Sequence, residues 1–125
     1  MVAPLSVYQL ERMGQMDSLL NSRRLSGPGY VYLLNDEPVA AAGLGRVTGR
    51  EFFAWVVMMP EVRQSKLLMR KLTREIKWRY PIIRDLIKAE IVQAETSDDP
   101  KFCRWLEMLG FERLPIARYG WAKNG

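Results

Sequence analysis

The chain has 125 residues, 48% of them apolar and 26% charged, with a net charge of +5; these values suit one folded domain over residues 1–125 and exclude a disordered chain. With no histidine and Cys103 as its one cysteine, it lacks the parts for a Cys/His zinc site, a histidine-based triad or an intrachain disulfide, and no metal is expected. No apolar run is long enough to cross a bilayer and Met1–Tyr8 has no signal-peptide pattern, so a soluble, intracellular protein without a membrane role is expected.

Val7, Leu10, Met13, Leu19 and Leu20 recur near helical spacing, with Ser6 available as an N-cap, and predict one helix or two short ones. Gly14 weakens the middle, and SGPG at 26–29 ends the segment. YVYLL at 30–34 then reads as a strand, NDEP as a turn and VAAAGL at 39–44 as the returning strand. A second turn is expected in GRVTGRE at 45–51. After it, FFAWVVMM at 52–59 is apolar almost throughout, the mark of a central strand covered on both faces.

Pro60 suits the first turn of a helix, and Glu61 suits its positive end. At the helical angle per residue, Arg63, Lys66, Arg70, Arg74 and Lys77 fall on one arc, while Val62, Leu68, Met69, Leu72 and Ile76 fall opposite. This surface helix is expected over 61–79, stopped by Pro81. IKAEIVQAE at 87–95 reads as a strand, Ser97, Asp98 and Asp99 as caps for a helix over 100–109 ending at Gly110, and the tail as a last strand pair. Cys103, among Phe102, Trp105 and Leu106, reads as a core or half-buried thiol. The class is therefore mixed α/β (α+β): a central, largely antiparallel sheet with one parallel strand pair on either side of the basic helix, flanked by helices.

The element order and CRWLEMLGFERL at 103–114 resemble the GNAT superfamily of acyl-CoA N-acetyltransferases, whose last helix commonly ends in Leu-Gly-Phe-Glu before a strand. Residues 52–125 also resemble acetyltransferase-like proteins of short-tailed bacteriophages, a group that includes an internal virion protein. The resemblance implies a GNAT-like domain with acetyl-CoA or CoA as cofactor, its pyrophosphate held by backbone N–H groups at the basic helix's start. The family's basic residue falls on Arg63, with Gln64, Ser65 and Lys66 as further donors, and the backbone N–H groups near Met58 and Met59 fall where the family polarises the thioester carbonyl. Two family glycine positions carry Lys66 and Leu68; the tyrosine acid of the last helix is replaced by Leu106, and an upstream asparagine by Asp99. Tyr119 and Tyr80 remain as proton donors and Glu95, Glu51 and Glu61 as bases, although a solvated surface role is the commoner state of such carboxylates.

Arg70, Arg74 and Lys77 lie one to three turns beyond the helix start, out of reach of the same anion. Three readings of them stand: an acidic patch on a partner protein, nucleic acid with Trp78 and Tyr80 stacking, or a solvated face. The scattered acidic residues and modest net charge make nucleic acid the weakest. Three functions follow: an N-acetyltransferase acting on a host target in the host cytoplasm; a non-catalytic member of the fold that binds and modulates a host protein; or a structural protein packaged in the virion. Neither the acceptor nor the oligomeric state has a motif.

Overall fold

The computed structural model describes residues 1–95, 100–114 and 118–122, with side chains for 1–94 and 100–112. A short strand, β1 (Val2–Pro4), opens the chain, hidden in a stretch with no strand pattern of its own. Two helices follow, α1 (Val7–Arg12) and α2 (Ser18–Arg24), each with a side-chain cap: Ser6 accepts from the Gln9 N–H and Asp17 from the Leu20 N–H. Between them Gly14 takes φ 80°, a left-handed conformation that ends α1.

Asn35 and Asp36, at φ 51° and 64°, make the turn between β2 (Gly29–Leu34) and β3 (Glu37–Thr48). Two left-handed residues match the twist of a hairpin, and Asn and Asp tolerate that conformation. β3 is longer than expected because Gly45, Arg46 and Thr48 pair with β4 (Glu51–Met58), which leaves Gly49–Arg50 as the turn.

The basic segment departs from expectation in two ways. It is two helices, α3 (Pro60–Arg63) and α4 (Lys66–Leu86), because Ser65 acts as an N-cap: its hydroxyl accepts from the Leu68 N–H and its carbonyl from the Met69 N–H. Arg63 therefore does not share a continuous helix face with the later cations. Nor does Pro81 stop α4. Proline removes one backbone donor, but Ile76, Tyr80, Ile83 and Ile87 pack into the core on both sides of it and hold the helix together.

The segment after α4 is also shorter in strand than expected: residues 87–90 turn the chain, and β5 is Ile91–Glu95. The proposed caps Ser97, Asp98 and Asp99 lie outside the described residues. α5 (Pro100–Met108) ends before Gly110 at φ 102°, and β6 (Glu112–Leu114) and β7 (Arg118–Ala122) pair as the last strands.

The strands form one sheet in the order β1-β2-β3-β4-β5-β7-β6, antiparallel at every junction except β4 to β5. β4 is thus central. On one face α4 and α5 cover Leu44, Phe52, Val92 and Ala94 with Ile83, Trp105 and Leu106. On the other, Leu10 and Met13 cover Val31, Ala41 and Val57. The alternation of Phe52 and Val57 between the two cores follows from the period-2 strand and accounts for a β4 sequence apolar nearly throughout. Cys103 packs half-buried against the first core. Among the described residues no helix is long and apolar enough to cross a membrane.

Candidate functional site

Pairing of β4 with β5 runs from Glu51 opposite Ile91 to Ala54 opposite Ala94 and stops there, whereas pairing with β3 continues to Met58 opposite Ala40. The centre of the sheet is therefore split. Residues along an antiparallel strand point their backbone groups alternately to one neighbour and the other. The Met59 N–H donates to the Val39 carbonyl (2.9 Å), so the odd positions of β4 serve β3. Val56 and Met58 turn their N–H and C=O groups toward the side that β5 has left. Of the two backbone donors expected here, that of Met58 faces the opening and that of Met59 is spent within the sheet.

At the level of the split lies a cavity of about 570 Å³ that reaches both faces of the sheet. Ala54, Trp55 and Val56 form its waist; α4 and α5 contribute Ile76, Tyr80, Trp105 and Leu106 on one side, and α2 contributes Leu20 and Arg24 on the other. Three residues of its lining each carry a buried polar atom with no hydrogen-bond partner among the described residues: the Tyr80 hydroxyl, Trp55 Nε1 and Arg24 Nε. Such atoms cost about 1–3 kcal/mol each unless a ligand or water meets them.

Burial raises the pKa of Tyr80, against a smaller opposing effect from Arg84, so its hydroxyl keeps its proton. Tyr80 is the one proton-donor candidate from the sequence that the described side chains place in this cavity. Leu106, where the last helix would carry a tyrosine, is buried in the same wall. Glu51 also lines the cavity, half-buried, while Glu61 is exposed on α3. For Tyr119 and Glu95 only the backbone is described: Tyr119 pairs with Ala94, and Glu95 with Arg118, on the β5 side of the split.

α4 begins beside the end of β4. Ser65 and the core hold its first turn, and the N–H groups of Lys66 and Leu67 are those that a helix start leaves without an intrahelical acceptor. The side chains of Arg63, Gln64 and Lys66 are exposed around it. Leu68, at a position where the family has glycine, packs inward against Val62, Leu72 and the Val39 cluster, so its side chain leaves the approach to the helix start open. Further along, Arg70, Arg74 and Lys77 are exposed, with no carboxylate at ion-pair distance among the described residues. They border a shallow groove between α4 and α5 with Trp78 and Met108, 61% and 53% exposed.

Arg24 and Trp55 carry no signal in the sequence. Arg24 reads as a cation in the last turn of a helix, and only the fold lays its guanidinium over the Trp55 ring, 5.4 Å from the centroid. Burial lowers the Arg24 pKa from the ordinary guanidinium value, partly offset by Asp17.

No protein-family model matches the chain, and no curated protein matches it. Solved structures do. It is similar to the GNAT domain of PAT from S. lividans at a TM-score of 0.73 and 10% identity, over 98% of this chain and 89% of that one. An acetyltransferase from Streptococcus agalactiae 2603 gives a TM-score of 0.72 and 11% identity, over 98% and 96% of the two chains. A Bacillus subtilis acetyltransferase in complex with CoA gives 0.69 and 8%, over 98% of each. At these identities the likeness is one of fold, and the fold is that of the GNAT acetyltransferases.

Proposed function

We propose that this protein binds acetyl-CoA or CoA along the open edge of β4 and transfers the acetyl group to an amine. The observation that carries the reading is the parting of β4 from β5 after Ala54, beside the start of a long helix and in line with a cavity. From Met58 to Ala54 an extended strand covers about 13 Å. From Lys66 to Ile76 the helix covers about 15 Å. In this reading the helix start holds the charged end of the ligand and the cavity beside Ala54 its acyl end. A CoA neighbour with the same fold supports this choice of ligand.

In this reading Arg63, Lys66 and the N–H groups of Lys66 and Leu67 hold the pyrophosphate, with Gln64 and Ser65 around them. Acetyl-CoA supplies an activated acyl group: a C–N bond to the acceptor forms as the C–S bond breaks, the nitrogen gives up its proton and the sulfur gains one. The Met58 N–H lies where a developing oxyanion is met by a donor that the sheet leaves free. Tyr80, kept protonated by burial, donates a proton to the leaving sulfur, a role that Leu106 on the last helix has no group for. No described carboxylate in the cavity except Glu51 offers a base, and the orientation of a neutral amine provides much of the rate.

A second reading has its own observation. Arg70, Arg74 and Lys77 border the groove with exposed Trp78 and Met108, which suits an acidic partner protein with an apolar anchor. A non-catalytic module of the same fold would use this face. A phage setting, with a host protein as target or packaging in the virion, rests on the sequence resemblance over 52–125.

Backbone hydrogen exchange with and without CoA tests the ligand reading. Protection is expected at residues 56–68 and absent at β1 and β2. Protection confined to the α4–α5 groove, or none, contradicts it.

A further inference from the structure

The geometry points to a second, anion-accepting subsite on the α2 side of the cavity, formed by Arg24 and Trp55, that takes the carboxylate of a small apolar amine such as an α-amino acid. Arg24 is 8% exposed and lines the cavity. Its Nη1 donates to two neutral oxygens, Gln15 Oε1 (3.2 Å) and Asn21 Oδ1 (3.1 Å), while its Nε has no acceptor. Asn21, itself 2% exposed, is fixed by donating to the Gln15 carbonyl (2.7 Å). The guanidinium is therefore held in place by neutral groups, with Asp17 offsetting its charge only in part. A buried cation that is only partly compensated is costly, and an anion bound beside it lowers that cost.

The position favours a carboxylate over other uses of the charge. Trp55 also lines the cavity and its buried Nε1 has no acceptor among the described residues, so two neighbouring residues of the wall each carry an N–H donor that lacks an oxygen partner. A carboxylate has two oxygens for two donors and matches a guanidinium edge. Trp55 is also the first residue of β4 past the last pairing with β5. A carboxylate anchored on it sets an α-amino group, bonded to the neighbouring carbon, at the opening between the strands. Leu20, Val47 and Phe53 supply an apolar wall for the side chain. The subsite deepens the acetyl-transfer reading, since it names the class of the acceptor, but anion binding does not itself require CoA.

Calorimetric titration of the full chain with L-phenylalanine, L-leucine and L-methionine, each against its decarboxylated amine, tests the inference. At least one amino acid is expected to bind tenfold or more tightly than its amine, about 1.4 kcal/mol. In Arg24→Gln this preference falls to about onefold, with CoA affinity measured in parallel. Trp55→Phe, which keeps the ring under the guanidinium but removes the N–H, reduces the preference in part and serves if Arg24→Gln does not fold. Equal binding of acids and amines, absence of binding by every amino acid, or a preference that survives both substitutions overturns the subsite. Carboxylate-dependent binding in a protein that ignores CoA upholds the subsite and overturns acetyl transfer.

Discussion

Ala54 and Ala94 form the last rung between β4 and β5, and beyond them the sheet opens while β4 stays paired to β3. Small side chains on both strands at the rung leave the cavity behind it unfilled. The roles proposed for the helix start at Lys66, the backbone of Met58 and the hydroxyl of Tyr80 depend on that parting.

Tyr80→Phe separates chemistry from stability. It removes a buried hydroxyl that has no partner, so the urea midpoint is expected to hold or rise slightly. Acetyl transfer, measured as thiol release from acetyl-CoA with an accepted amine, is expected to fall about a hundredfold or more, the lower range for loss of a general acid. An unchanged rate removes Tyr80 from the mechanism.

Alkali is expected to weaken the fold. Burial pushes Tyr32 up to about 12 and raises Tyr80 as well, whereas both titrate near 10 when unfolded. The folded state then binds more protons, so stability is fully present below about pH 10 and is lost as pH rises through the folded values. Urea midpoints should fall above about pH 10, and less steeply in Tyr32→Phe with Tyr80→Phe. Equal slopes contradict this assignment.

Thr73→Val is expected to cost about 1–3 kcal/mol. Trp105 Nε1, in a buried side chain, donates to Thr73 Oγ1 (2.8 Å), which in turn donates to the Met69 carbonyl (2.7 Å), and this relay ties α5 to α4. Valine fills the space but leaves the indole N–H without an acceptor. Thr73→Ser, which keeps the hydroxyl, should retain most of the urea midpoint.

Pro81→Ala is expected to stabilise the chain. Alanine restores a backbone donor within α4 and removes the clash of the ring with the preceding turn, worth up to about 3 kcal/mol. A higher melting temperature is the expected result. A lower one would contradict this account of Pro81.

The hairpin, the central strand and the helix before Gly110 are legible in the sequence because each rests on local signals: Asn35–Asp36 in a turn, a continuous apolar run, a glycine at a helix end. The split at Ala54 has no such signal, since it depends on where β5 stops pairing. Pro81 misleads for the converse reason: its local penalty is outweighed by contacts with Trp105, Phe111 and the strands, far away in the chain. The helix start at Lys66 is half legible. Its cations are visible in the sequence, but the cap that places it belongs to Ser65, and the inward turn of Leu68 is a matter of packing. Arg24 and Trp55 meet only across the fold, so no spacing rule finds them.

The central claim is that a CoA pyrophosphate sits on the start of α4. Calorimetric titration with acetyl-CoA of the native chain and of Arg63→Ala with Lys66→Ala tests it most directly. Micromolar binding that weakens tenfold or more in the variant, about 1.4 kcal/mol, is the expected result. No heat of binding from the folded native chain, or equal affinity in the variant, would contradict it.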